Sequence, residues 1–425
     1  MQNLRSSNAL SVDKMQNSPL IYVRLDELKP YEKNPRKHPK ALIDGLISNI
    51  SEFGFTNPIL ITPDKTILAG HARYKAASEM GLTEIPARIF DGDTVRAAAL
   101  VIADNRLAEL SEWDDDVLAD LITMIQATDL DIGFTGFDAA SIDELFSKIH
   151  DKDVQDDECT IDPDAVTPFV QTGDIWTLGR HRMVCGDSTK AADVALLMDS
   201  VKANLVVTDP PYNVSYESAD GKTIQNDSMA DGKFYEFLLA AFQNMAAHMA
   251  EGGSAYIFHA DTEGLNFRRA FREAGFHISG VCIWAKNSLV LGRSPYQWQH
   301  EPVLFGWLPN GKHRWFADRK QTTIWNFDKP KHSAQHPTMK PIPLLAYPIK
   351  NSSAPNGIVL DLFGGSGSTL IACEQTDRIC RTMELDPKYA TVIVQRYVDL
   401  VGGTADVHVL RNGIEISFEE ATARE

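Results

Sequence analysis

Apolar positions change their spacing several times along this chain. Leu42, Ile43, Leu46, Ile47, Ile50 and Phe53 recur at the three-and-four interval of one helix face. PILIT (58–62) then reads as a short strand, and a second helix opens near His71 after TILAG. Helical spacing returns over 94–110 and 115–125. From 151 to 168 acids and prolines replace apolar residues, and a segment that cannot bury itself reads as a linker. Beyond it come short runs such as Leu205, Val206, Val207, the mark of strands covered on both faces of a parallel sheet. The closing stretch ADVHVLRNGIEISF reads as a hairpin around Asn412 and Gly413. The expected organisation is a polar, disordered tail (1–19), a small α/β domain (20–110), a helical extension (111–150), an acidic linker (151–168) and a larger α/β domain (169–425), with no internal repeat.

Composition adds limits. The 425 residues are 44% hydrophobic and 23% charged, as in an ordinary globular protein. No apolar run is long enough to cross a bilayer, and MQNLRSSNALSVDK lacks the apolar core of a signal peptide, so a cytoplasmic location is expected. Five cysteines (159, 185, 282, 373, 380) are scattered without a CxxC pair, which indicates neither a disulfide framework nor a metal site. A net charge of −17 argues at first against a polyanionic partner, but the charge is uneven. Residues 151–164 hold seven acids against one lysine, whereas 286–340 hold nine Lys or Arg against three acids. With Trp284, that basic segment carries five of the seven tryptophans. Two readings stay open for it: a nucleic-acid face, or an aromatic core with a solvated rim.

Two strand ends carry the chemistry. LVVTDPPYNVSY places Asp209 at the tip of an apolar strand that Pro210 and Pro211 cannot continue, and that edge of an α/β sheet is where ligands bind. GIVLDLFGGSGSTLIACEQ (357–375) is a strand, a glycine-rich turn and a helix start. Glu384 follows Gly365 by nineteen residues, the spacing at which a carboxylate can accept from both ribose hydroxyls. The turn is neither GxGxxG nor GxxxxGK[ST]. It suits a nucleoside-bearing cofactor without a pyrophosphate, or a structural tight turn.

DPPY, followed by QHPTMKP (335–341), DLFGGSGST (361–369) and MELDPKY (383–389), resembles the amino-group DNA methyltransferases that use S-adenosylmethionine, in the permuted order where the catalytic motif precedes the cofactor motif. The resemblance covers about 170–400. It implies a Rossmann-like S-adenosylmethionine-dependent methyltransferase domain with site specificity on double-stranded DNA. Asp209 and the Pro210 carbonyl would accept both hydrogens of an exocyclic amine, stiffened by Pro211, while Tyr212 stacks on a base flipped from the duplex. Cofactor residues by the same resemblance are Asp187, Thr338, Lys340, Asp361, Phe363, Gly365, Ser366, Gly367 and Glu384. For Asp187 a plain turn aspartate is the alternative. An aspartate in DPPY favours adenine N6 over cytosine N4, and RNA, a protein amide or a non-catalytic DNA-binding regulator are further alternatives. Ring-carbon methylation, which in the related family uses a Pro-Cys nucleophile, is set aside because no Pro-Cys occurs here. The resemblance also implies a prokaryotic or phage restriction-modification setting and admits a homodimer. Residues 286–331 are expected to read the target sequence.

In the first domain, NPRKHP and ILAGHARYKAASEMGLTEIPARI (67–89) resemble the ParB-like and sulfiredoxin-like nucleotide-binding domain. Gly70, His71 and Arg73 occupy its phosphate-receiving turn, and the lack of a cysteine there excludes sulfiredoxin chemistry. A nucleotide-regulated DNA clamp, a kinase-like phosphotransfer site and a retained fold that helps grip DNA all stay open.

Overall fold

The computed structural model describes residues 19–31, 36–108, 110–126, 128, 130–150, 154–156, 161–214, 227–291, 295–328 and 339–423. It divides into two compact units. The first comprises residues up to Asp114 together with Leu130–Ile142. Its sheet holds β1 (Ile21–Arg24), β2 (Lys29–Pro30), β3 (Ile59–Ile61), β4 (Thr66–Ala69) and β5 (Glu84–Ile89) in the order β1-β5-β3-β4-β2. Helices α1 (Lys40–Phe53), α2 (His71–Glu79) and α3 (Thr94–Ala108) accompany it. The expected α1 face is present, with Ile43 and Ile50 buried, and Gly54 ends the helix at φ 73°. Leu42 and Phe53 remain exposed at its rim. The tail residues 1–18 lie outside the described residues.

The helical stretch expected over 111–150 is not one body. Helix α4 (Asp115–Gln126) belongs to the second unit, and α5 (Ala139–His150) begins in the first and ends in the second. The described part of the acidic linker is docked rather than loose. Val154 packs on the second unit's core, Gln155 exchanges two hydrogen bonds with Gln375 (2.8 and 3.0 Å), and Asp156 accepts from the Ile342 N–H (3.0 Å).

The second unit is built on eleven strands: β6 (Ile175–Leu178), β7 (His181–Cys185), β8 (Ala203–Thr208), β9 (Met249–Phe258), β10 (His277–Val290), β11 (Trp298–Trp307), β12 (Ile324–Asn326), β13 (Ile358–Asp361), β14 (Ile379–Glu384), β15 (Val407–Arg411) and β16 (Ile414–Ser417). They run in the order β12-β10-β11-β9-β8-β13-β14-β7-β6-β15-β16. The five central strands, β9 to β7 in that order, are mutually parallel. Their carboxyl ends therefore share one edge of the sheet.

Alternate residues of β8 feed two layers, which explains its unbroken apolar run. Leu205 and Val207 pack with Leu345 and Ile349 of α9 (Ile342–Ser352) and Ile393 of α11 (Pro387–Val401). Val206 packs with Leu197 of α6 (Ala191–Met198), Leu238 and Phe242 of α7 (Asp231–His248) and Phe267 of α8 (Gly264–Glu273) on the opposite face. All three β8 side chains are fully buried, each worth roughly 1.5–3 kcal/mol in transfer free energy. The result is a three-layer α/β/α domain.

The terminal hairpin forms as expected, with Asn412 and Gly413 both at positive φ (53° and 79°). Arg411 fastens it through two hydrogen bonds to the buried Asp174 carboxylate (2.8 and 2.6 Å). Of the basic segment's tryptophans, Trp284 and Trp325 are core, whereas Trp298 is exposed. Strand β11 is an inner strand of the sheet, so the expected target-reading segment includes part of the core. Among the described residues, no helix is long and apolar enough to cross a membrane, no cluster could hold a metal ion, and the four described cysteines are buried and free.

Candidate active site

From β8 the chain steps outward to β9, whereas from β13 it steps the other way to β14. The crevice between β8 and β13 is thus the topological switch point of the sheet. Asp209 follows β8 on one side of it, and the glycine turn follows β13 on the other. A buried hydrogen bond joins them: Thr208 Oγ1 donates to Asp361 Oδ1 at 2.6 Å. Burial pushes the Asp361 carboxyl up to about 6, against the pull of its donors, Thr208 among them.

The glycine turn is shaped by close approach and by left-handed backbone. A Cβ on Gly364 would stand 2.6 Å from Thr382 Oγ1 and 2.9 Å from Ile393 Cδ1. Gly365 and Gly367 have φ of 52° and 86°, and Gly367 caps helix α10 (Ser368–Gln375). Phe363 donates its N–H to Asp361 Oδ1 (3.0 Å), and its ring meets Phe237 at 5.8 Å. Glu384, at the end of β14, accepts the Gly365 N–H (2.8 Å) and the Asp386 N–H (2.9 Å). The Leu385 N–H bears on the same carboxylate. Burial raises this carboxyl to about 7. Behind the turn, the buried Arg396 of α11 donates to the Ser366 carbonyl (2.9 Å) and to Ser368 Oγ (3.1 Å).

On the opposite side Pro210 is buried and Asp209 partly so. Lys340 Nζ lies 2.5 Å from Asp209 Oδ2, and the Tyr212 hydroxyl donates to Asp209 Oδ1. Glu301 of β11 completes the cluster, 3.3 Å from Lys340 and 2.5 Å from Lys286. Burial raises the Asp209 carboxyl, and Glu301 adds to this while Lys340 opposes it. Burial would raise Glu301 too, but the two ammonium groups outweigh it and hold that carboxyl down at about 2.

The expected site residues thus converge on one edge, with qualifications. Lys340, expected at the cofactor's amino-acid end, is bonded to the Asp209 carboxylate. Asp187 follows β7 on the same edge and accepts from Thr189 N and Oγ1 (3.0 and 2.7 Å), as a turn aspartate does. Thr338 lies outside the described residues. Glu301, Lys286, Thr208 and Arg396 were not expected from the sequence.

In the first unit, Gly70 has φ 95° and no room for a Cβ, which would meet Ile59 Cγ2 at 2.7 Å. His71 is buried and its Nε2 accepts the Tyr31 N–H (3.2 Å); burial lowers its pKa and keeps the ring neutral. Arg73 donates to the Asn57 and Pro58 carbonyls (2.7 and 3.0 Å).

A carboxylate and a glycine turn on either side of the switch point are the mark of the doubly wound α/β class, whose ligands bind in that crevice. The family comparison is more specific. Residues 203–395 match the DNA methylase family, 9–106 the ParB N-terminal domain and 116–172 the ParB-methyltransferase HTH domain. The second unit thus carries a DNA methylase domain, and a ParB N-terminal domain lies ahead of it. It is 29% identical over 195 residues to the putative methylase YubD of Escherichia coli (strain K12), covering 45% of this chain and 81% of that one. The ParB-like nuclease domain-containing protein YnaK of the same organism is 37% identical over 75 residues, 18% of this chain and 86% of that one. Among solved structures, the M1.HpyAVI–SAM complex aligns over 50% of this chain and 98% of its own, with 22% identity and a TM-score of 0.40. The HTH match overlaps the acidic stretch, so part of what reads as linker from composition belongs to a recognised domain.

The cofactor of this family is S-adenosylmethionine. The residues fit it: a carboxylate at the end of β14, a glycine turn at a helix start, and an aromatic side chain, Phe363, at the crevice.

Proposed function

We propose that the protein methylates the exocyclic N6 amine of adenine, at specific sites, in double-stranded DNA. The observation that carries this reading is the DPPY carboxylate at the switch point, tied through Thr208 to the cofactor turn. S-adenosylmethionine supplies an electrophilic sulfonium methyl. Glu384, Asp361, Phe363, Gly365, Ser366 and Gly367 would hold it, with Asp187 and Lys340 at its two ends. Asp209 accepts an amine hydrogen and, with its raised pKa, is suited to take the proton the nitrogen loses as it gains the methyl group. The Pro210 carbonyl is the second acceptor, and two prolines keep the tip rigid, so orientation supplies much of the rate. For a base to enter, Tyr212 exchanges its bond to Asp209 for stacking on the ring. The motif order supports assignment to the permuted group.

The test is nucleoside mass spectrometry on unmethylated duplex DNA incubated with the protein and S-adenosylmethionine, beside Asp209→Ala. Methylated adenine, lost in the variant, is the expected result. Methylated cytosine keeps the mechanism and corrects the base, and no methylation of either refutes the reading. Residues 286–331 are assigned to target reading, which exchange of that segment with a related enzyme tests: an unchanged methylated site refutes it.

For the first unit we favour a retained fold that helps grip DNA. His71 neutral and Arg73 bonded to backbone carbonyls both support a structural use of that turn. Calorimetric heat on adding a nucleoside triphosphate, with or without DNA, overturns this in favour of a nucleotide site.

A further inference from the structure

Two carboxylates and two ammonium groups meet beside the switch point, and the methyl-transfer chemistry above uses only one of the carboxylates. Glu301 stands on β11 directly opposite Trp284 of β10, in the core of the sheet rather than on a loop. Its Oε1 is 2.5 Å from Lys286 Nζ, while its Oε2 is 3.3 Å from both Lys340 Nζ and the Tyr212 hydroxyl. The side chains of Lys286 and Lys340 are only 8% and 7% exposed and Glu301 keeps 20%, whereas Asp209 keeps 28%, the most of the four. Asp209 is thus the charged member of the cluster most open to a substrate.

A buried ammonium facing one carboxylate would claim it entirely, because nothing else repays its lost hydration. Here Lys340 is shared between Asp209 and Glu301, and the Tyr212 hydroxyl lies within reach of both. Lys286 balances the second carboxylate, so the four charges sum to zero and can stay buried together. We propose that Glu301 is a positioning residue for Asp209: it draws Lys340 and Tyr212 partly onto itself, leaving Asp209 lone pairs free for the amine hydrogens of the base, and Lys286 holds it in place.

The charges around Asp209 set the sign of the test. Lys340 precedes α9, Glu301 is on β11 with Lys286 behind it on β10, and Tyr212 is on the same loop as Asp209. Asp361 on β13 is close enough to feel Asp209, and His259 at the end of β9 is neutral through burial. Glu301→Gln removes a like charge and leaves Asp209 as the sole counter-ion of Lys340, so the acid limb of kcat moves down by about one pH unit. The plateau kcat falls by roughly tenfold, with KM for DNA little changed, because the lost effect acts on the reacting amine. Lys286→Met does the opposite: Glu301 turns wholly to Lys340, Asp209 loses counter-charge, and the limb moves up.

The experiment measures kcat and KM against pH for the full chain and both variants, together with the Asp209 carboxyl titration in ¹³C-labelled protein, the resonance being identified by its loss in Asp209→Asn. Opposite displacements in the two variants, seen in both kcat and the titration, are expected. Where Glu301→Gln does not fold, Glu301→Asp, which withdraws the charge by one methylene, shifts the limb in the same direction by less. Limbs and titrations that coincide with wild type, or a loss of kcat that only follows a lower melting temperature, overturn the inference. It rests on the methyltransferase reading, yet the two fail separately. A protein that methylates no base but shows the opposed titrations keeps the charge arrangement and loses the reaction, whereas an active enzyme with unmoved titrations loses only Glu301's role.

Discussion

With Glu384 as the proposed ribose acceptor, cofactor affinity should depend on pH near neutrality. The Glu384 carboxyl, buried against the glycine turn, is raised to about 7, and only the ionised form meets the ribose hydroxyls as an acceptor on both oxygens, with no hydrogen of its own in the way. About nine tenths of a group titrating at about 7 is ionised at pH 8 and about one tenth at pH 6, so affinity for S-adenosylmethionine should fall about tenfold between them. The corresponding free energy is about 1.4 kcal/mol. Burial raises this carboxyl, so the ligand-ready ionised state exists above about pH 7 and is lost as pH falls through that value. Calorimetric titrations at pH 6, 7 and 8, in two buffers of different ionisation enthalpy, measure both the affinity and the protons exchanged. Glu384→Gln is the control, since it should bind weakly at every pH without that slope; any slope it retains belongs to the cofactor's own groups. Equal affinity at pH 6 and pH 8 in the wild type, or an equal slope in the variant, refutes the assignment of Glu384.

Two further outcomes test the turn itself. Gly364→Ala drives a methyl against Thr382 Oγ1 and Ile393 Cδ1, and should cost about 1–3 kcal/mol of stability in urea unfolding. Arg396→Met removes the donors holding Ser366 and Ser368; it should lower cofactor affinity by about tenfold, as loss of one to two net hydrogen bonds implies, yet keep the pH slope assigned to Glu384.

What could be read from the chain beforehand follows physical range. Strand β8, the glycine turn and Glu384 are local patterns: an apolar run stopped by prolines, a run of glycines, a carboxylate at a fixed interval. All three occupy their expected places. The α1 periodicity likewise gives the helix, but not that Leu42 and Phe53 fall at its rim, because exposure depends on what the face meets. Glu301 gave only one hint, a lone acid entering the apolar run PVLFGW, and Arg396 a lone base within TVIVQRYV. Each acts through residues far away in the chain, so spacing has nothing to register. The acidic stretch misleads for a related reason. Composition counts charges, whereas Asp156 serves as a helix-end acceptor and Val154 finds a core built by other segments.

The Thr208–Asp361 bond joins positions 153 residues apart. During synthesis, β8 is complete long before β13, its parallel neighbour, leaves the ribosome. Over that interval β8 can pair with β9 alone, and its other edge offers unpaired backbone beside the apolar side chains of Leu205, Val206 and Val207. A chain ended between Thr208 and Ile358 therefore loses the glycine turn and also exposes one of the central strands of its larger sheet. Termination within that interval should yield an aggregating fragment.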